Sequence, residues 1–295
     1  MYRRFIFLAF PFFTLYQAQC QDNFSEAFFY SPKNIQVYVP ALAGLENRVQ
    51  ANLVYKTYVG KLSVIRAQYA DLNVHLEKAK EGARASSQHV VGGGLYADKE
   101  GDFFSKTRAL FRYALHLPLR EDLTLSGGAA LHLINYHFSA SGAGASGSAW
   151  TWSGNIAAAL SSPTFKLGAS FNDFNSPELR PIGYAFILRP YTTFYAEKLL
   201  RIASETYVRG GGRYNVLWQN GSSVLVQFGV LFSRDIGLTS FYYLHKGWGG
   251  AVEINKIKLN KEHYIDLSLA YQVPTQNQVP PASQYEINLQ YYLKK

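Results

Sequence analysis

The feature that most constrains this chain is an alternation of apolar and polar residues with period two, sustained over segments of ten residues or more. From Tyr285 to Leu293, apolar Tyr285, Ile287, Leu289, Tyr291 and Leu293 alternate with Glu286, Asn288, Gln290 and Tyr292. Successive side chains of a strand point to opposite faces, so such a segment has one apolar face and one wet face. The design recurs with Ile265, Leu267, Leu269, Tyr271 and Val273 set against Tyr264, Asp266, Ser268, Ala270 and Gln272. Val224, Val226, Phe228, Val230 and Phe232 form a third apolar face. Ala109, Phe111, Tyr113, Leu115 and Leu117 form a fourth, opposite Arg108, Arg112 and His116. Read this way, strands fall at 47–59, 62–77, 88–98, 103–118, 123–138, 149–161, 164–174, 182–199, 201–217, 222–234, 236–245, 247–258, 263–273 and 283–294. The alternation is weakest at 62–77 and 182–199.

A soluble sandwich and a membrane barrel both present alternating strands, and length separates them. Globular strands run to about five or six residues, whereas a tilted strand crossing a bilayer needs about 9–11. Tyr and Phe also crowd the strand ends, at Tyr55 and Tyr58, Phe103 and Phe104, Tyr136 and Phe138, Phe241 to Tyr243, and Tyr291 and Tyr292. A bilayer interface places an aromatic girdle there; aromatic cross-strand packing in a soluble sheet is the plainer alternative. Closure removes the exposed edges that so many long strands would leave. No segment competes as a membrane helix: the stretch from Leu123 to Phe165 lacks charge but is broken by glycines, Asn135, Asn155 and Pro163. The expected fold is all-β, a transmembrane antiparallel β-barrel of about 14 strands with an N-terminal plug-like segment. Tight turns are expected at one end, at Arg120 to Asp122, Ser161 to Pro163, Leu200-Arg201, Arg234-Asp235 and Leu259 to Glu262. Longer loops are expected at the other, at Ser139 to Ser148, Asn175 to Pro181 and Pro274 to Ala282.

The chain opens on a basic Met1 to Arg4, an apolar run from Phe5 to Leu15 and Ala18-Gln19-Cys20, the layout of a cleaved secretory signal. That run is too short to span a bilayer. A lipid-modified Cys20 is the rival reading, for which Gln19 is a poor neighbour. The expected division is a signal peptide at 1–20, an N-terminal segment at 21–46 and the barrel at 47–295. The intact sequence carries 29 Lys+Arg against 20 Asp+Glu, a formal +9. This basic excess is spread over turns and polar faces, through Arg108, Arg112, Arg189, Arg209, Arg213, Lys256 and Lys258, without the cluster a nucleic-acid groove needs. Some of these side chains should line the lumen, and those at the rims can meet anionic lipid of the outer membrane.

Residues 21–46 hold Phe24, Phe28, Phe29, Tyr30, Tyr38, Pro40 and Gly44, too aromatic a stretch to float in water. It is expected to fold into or against the barrel mouth. Phe24, Phe28, Phe29, Pro40 and Gly44 are the candidate partner-binding residues, with plain packing as the competing role.

Gln21-Asp22 with Phe24-Ser25, the pair Phe28-Phe29, Ser31-Pro32, and Pro40-Ala41-Leu42-Ala43-Gly44 leading to Arg48 resemble the start of the PorP/SprF family of type IX secretion system membrane proteins of Bacteroidetes-type bacteria. The segment from Ser153-Gly154 through Gly168-Ala169-Ser170 to Asn172, Asn175 and Pro177 is similar to that family's glycine-serine strand and Asn-Pro corner. Ser31-Pro32 and Val39-Pro40 stand where the family often carries Asn-Pro. The resemblance implies an outer-membrane barrel of a Gram-negative bacterium that assists export and surface attachment of particular cargo proteins, such as gliding adhesins. It also implies contact with periplasmic and inner-membrane parts of the secretion machine.

Chemistry has little foothold. The seven His residues are scattered, and His132 and His137, five apart on one strand, point to opposite faces, so no metal site is expected. Ser240, Ser268 and His116 occur in strands, but no local motif marks a nucleophile. Gly92-Gly93-Gly94 and Gly210-Gly211-Gly212 are not followed by a helix that could cradle phosphate and read as bends or bulges. No enzyme, cofactor or nucleic-acid role is expected. A passive channel or small-solute transporter is the alternative function.

Overall fold

The computed structural model describes residues 28, 30, 32–76, 87–139, 146–182, 185–217, 221–232, 235–244, 246–275 and 282–294. Residues 1–20, expected to be a signal peptide, lie outside them with Phe24 and Phe29, as does most of the Ser139 to Ser148 loop. Strands β1 (Asn47–Tyr58), β2 (Arg66–His75), β3 (Gln88–Glu100), β4 (Phe104–Arg120), β5 (Leu123–Phe138), β6 (Gly147–Ser162) and β7 (Phe165–Asn172) form half of the wall. An excursion follows, with the two-residue strands β8 (Glu178–Leu179) and β9 (Phe186–Ile187) paired to each other. The wall resumes with β10 (Tyr191–Arg201), β11 (Thr206–Leu217), β12 (Gly221–Phe232), β13 (Ile236–Tyr243), β14 (Gly247–Lys258), β15 (His263–Pro274) and β16 (Gln284–Lys294). Fourteen strands thus close into one antiparallel barrel, β7 pairing with β10 across the excursion and β1 with β16 at the seam. Asn47 stands opposite Lys294, so both ends of the wall lie at the same rim.

Each expected strand is present, with shifts that have local causes. The second starts at Arg66 because Gly60–Leu62 closes a 3-10 turn, with Gly60 at φ +76°. The eighth starts only at Tyr191, the run before it being broken by Pro181 and Pro190. Strand β10 continues through Arg201, so the turn expected at Leu200-Arg201 falls at 202–205. Neither glycine run is a bulge, for the registers of β3 and β11 with their neighbours are unbroken. At Gly92 the reason is close approach: a Cβ there would lie 2.9 Å from Leu72 O.

The faces sort as the alternation requires. Phe111, Tyr113, Val226, Phe228, Leu267, Leu269, Ile287 and Leu289 are exposed on the outer surface, while Arg108, Arg112, His116, Asp266, Ser268, Glu286 and Asn288 are buried inside. A 12-residue strand such as β1, rising about 3.3 Å per residue and tilted about 45°, covers about 28 Å, close to the hydrocarbon thickness of a bilayer. No helix among the described residues is long and apolar enough to cross a membrane. This is a membrane β-barrel, crossing with strands. The aromatic girdle differs from expectation in membership: Tyr136, Phe241, Tyr243 and Tyr292 are buried on the inner side, and the exposed outer rings include Phe103, Trp150, Trp152, Tyr242, Trp248 and Tyr271. Leu269→Lys, at mid-height on the lipid face, is expected to cost about 2–4 kcal/mol, measured as a shift in denaturant-driven unfolding in lipid vesicles.

The wall is uneven. Strands β4, β5 and β6 have 17, 16 and 16 residues, whereas β7 has 8, so one side stands tall beside a low neighbour.

Candidate functional site

Inward-facing positions make the lumen polar and charged. Arg108 and Arg112 come from β4, Arg209 and Arg213 from β11, Asp71 from β2, Glu253 from β14, Asp266 from β15 and Glu286 from β16. Burial of such charges is tolerable only with partners. Arg112 Nη2 lies 2.9 Å from Asp71 Oδ2, both side chains essentially inaccessible, and donates to Tyr69 Oη at 2.6 Å. Arg209 pairs with Glu253 and donates to Thr239 Oγ1 at 2.8 Å.

The described part of the N-terminal segment lies inside the barrel, tied to strands around its circumference. The Phe28 ring sits 5.5 Å from Tyr69 and 5.8 Å from Tyr96. Its N–H donates to Tyr38 Oη at 2.9 Å, and Arg213 Nη2 donates to its carbonyl at 3.2 Å. The Arg213 guanidinium stacks 3.8 Å from the Tyr38 ring centroid, a cation–π arrangement in a desolvated setting. Tyr30 Oη accepts from Arg209 Nη2 at 3.0 Å, and its N–H reaches Glu286 Oε2 at 3.5 Å. Lys33 Nζ donates to Asp266 Oδ2 and Asn255 Oδ1, each at 2.6 Å, and Asn34 bonds Asn288. Desolvation pushes the Tyr38 hydroxyl up to about 12, against the opposing pull of Arg213, and burial raises Tyr30 as well.

Two short 3-10 turns, Ile35–Val37 and Pro40–Leu42, bring the chain back across the lumen. Pro40 at the first position of the second turn supplies the φ that a helical turn wants. This turn packs on glycines of the inner wall: a Cβ on Gly128 would meet Ala41 Cα at 2.7 Å, and one on Gly168 would meet Val39 Cγ1 at 2.9 Å. His116 Nε2 donates to Ala43 O at 2.9 Å and His75 Nε2 to Gly44 O at 2.6 Å. Gly44 has φ +65°, and a side chain there would also press on Val90. At the rim holding the ends of the wall, a cavity of about 340 Å³ remains between the segment and the wall, lined by residues including Lys33, Glu46, Lys166, Asp266 and Tyr292.

Of the candidate residues, Phe28, Pro40 and Gly44 are therefore packed on the barrel's own lumen. Sequence spacing did not bring His75 and His116 together, yet their rings lie 6.3 Å apart, holding adjacent carbonyls. Their inward parity on β2 and β4 was the available signal. Among the described residues no His, Cys, Asp and Glu group is arranged to hold a metal. His116 is engaged by Ala43 and Ser126, and Ser240 lies on the outer face, so neither joins Ser268 in a catalytic arrangement.

An apolar outer belt around a charged, internally occupied lumen defines a membrane β-barrel whose interior is specialised. The chain belongs to the PorP/SprF family: the family model for the type IX secretion system membrane protein PorP/SprF matches residues 17–291. No curated protein matches the sequence. In fold it is similar to the Pseudomonas putida toluene transporter TodX (10% identity, TM-score 0.53, covering 89% of this chain and 94% of that one). It is also similar to the Ralstonia pickettii toluene transporter TbuX (11%, 0.52, 88% and 92%) and to a Pseudomonas aeruginosa FadL homologue (8%, 0.50, 87% and 92%). At these identities the likeness is one of fold.

Proposed function

We propose that this barrel sits in the outer membrane of a Gram-negative bacterium and serves the type IX machine as an accessory that assists export and surface attachment of a specific cargo, such as a gliding adhesin. In this reading residues 21–46 form a plug, and the barrel does not conduct at rest. The observation that carries the reading is the occupied lumen. A charged wall that binds its own segment through Arg209, Arg213, Asp266, His75 and His116 is built to hold a polypeptide, not to pass a small apolar solute. Periplasmic and inner-membrane components of the machine are the partners expected to act on the segment. Phe28, Pro40 and Gly44 are buried and would meet them only when it moves, and Phe24 and Phe29 are proposed to act with them.

The passive-channel reading predicts steady conductance from the intact protein. We expect the purified barrel to be silent in planar bilayers, and deletion of its gene to remove one cargo from the cell surface while other type IX substrates remain displayed. An intact barrel that conducts steadily, or a deletion strain with every cargo in place, counts against the proposal.

A further inference from the structure

Strand β6 is paired along only part of one side. Its β5 side is laddered from Gly147 to Ser161, but pairing with β7 stops at Ile156, opposite Phe171. Strand β7 ends at Asn172, and the chain leaves the wall at Asp173, which sits at φ +50°. Beyond that point β6 is covered for one step. Phe174 N–H donates to Gly154 O at 3.1 Å, Gly154 N–H donates to Asn175 Oδ1 at 3.2 Å, and Asn175 Nδ2 donates to Trp152 O at 2.9 Å. An asparagine side chain thus stands in for the missing strand. These bonds fix the parity, for N–H and C=O of one residue in an antiparallel strand point the same way. The Trp152 N–H and both backbone groups of Trp150 and Ser148 therefore face this side, where they have no partner among the described residues. The described part of the excursion comes against Gly147 through the Pro181 carbonyl but makes no backbone bond to Ser148 or Trp150. Leu179 and Phe186 of β8 and β9 pack on the inner face, against Ile134, Tyr136 and Phe104.

A free edge of this kind is normally guarded by Lys, Pro, a bulge or a covering element. Gly147 to Ser153 reads Gly-Ser-Ala-Trp-Thr-Trp-Ser, without charge or proline, and its register with β5 is unbroken. An open edge is not viable in hydrocarbon. Trp150 and Trp152, 71% and 51% exposed on the outer face, mark where the tall β4–β6 wall meets the interface.

We propose that this edge receives an extended segment of the exported protein, added to the wall as one more strand. The proposal rests on the secretion reading above and names where cargo is held. Below this stretch β6 pairs with β7, which pairs in turn with β10, so the occupant that fits is a single extended strand and not the wall of a second copy. Backbone pairing supplies the affinity.

The test uses the native host and the cargo whose surface display is lost on deleting the gene. Trp150→Pro removes one donor from the open side and leaves the β5 ladder, made by Ala149 and Thr151, intact. Display of that cargo is expected to fall about tenfold, with barrel abundance unchanged, while Trp150→Ile, which keeps the N–H, preserves it. In nanodiscs, the Trp150 amide of the purified unmodified protein is expected to exchange rapidly. Normal display with Trp150→Pro overturns the edge proposal and leaves the secretion reading standing, as does equal loss with Trp150→Ile. Slow Trp150 exchange without cargo overturns it too, because the edge is then already covered by the chain or by a second copy. If deletion costs no cargo its display, the secretion reading fails and the docking proposal falls with it.

Discussion

Replacing Gly128 by valine is expected to turn a silent barrel into a conducting one. The added side chain would enter the space of Pro40 and Ala41, with a Cβ 2.7 Å from Ala41 Cα and from Pro40 C. Those are backbone atoms of a 3-10 turn, which cannot rotate aside as a side-chain tip can. The wall itself tolerates the change. Gly128 stands between Ala114 on β4 and Ala157 on β6, in regular register, and valine suits a strand. The strain therefore falls on the N-terminal segment, which must lift from the lumen. Planar-bilayer recording should show steady conductance, and limited proteolysis should cut the segment. Gly127→Val is the control, since a Cβ there meets nothing within 4 Å, and it should remain silent. A quiet Gly128→Val barrel with a protected segment would show that the lumen is closed by something else.

The second large effect concerns Arg209 and Glu253. Glu253 has no accessible side-chain surface, and Arg209 bridges it to Tyr30 of the N-terminal segment and Thr239 of the wall. Arg209→Met strands a carboxylate in the lumen, and a buried pair broken on one side costs about 3–5 kcal/mol. Arg209→Met combined with Glu253→Met removes both charges, and most of that loss is expected to return. Denaturant unfolding of the four members of this double-mutant cycle measures the coupling. Equal stability of the single Arg209 variant and the parent would mean that water reaches Glu253.

How much of this was legible in the sequence follows from the range of each interaction. The strands were readable because period two is a local property: Ile287 and Leu289 face out, and Glu286 and Asn288 face in, whatever closes the barrel. Strand ends were harder where proline or a 3-10 turn interrupts the run, as before Tyr191 and Arg66. Membership of the girdle was not readable, because Tyr136 and Tyr243 alternate with outward residues at the same height and differ from them only in parity. The lumen's content was least visible. A wall bearing Asp71, Arg112 and Arg213 looks the same whether it faces water or Phe28 and Tyr38, and the contacts that decide the matter join residues far apart in the chain, such as Arg209 and Tyr30. The aromatic density of residues 21–46 was the one local sign that the stretch folds into or against the barrel mouth, and it did not say which wall residues Phe28, Tyr30 and Tyr38 would meet.

The seam of the barrel couples the anchoring of Tyr30, Lys33 and Asn34 to closure of the wall. Their partners Glu286, Asp266 and Asn288 lie on β15 and β16, and β16 also pairs with β1. A chain cut short before those strands lacks both its closure and its lock at a single stroke. In such a chain Tyr30, Lys33 and Asn34 lose these partners together with the strand that shuts the cylinder, so an unclosed wall and an untethered segment arise from one defect.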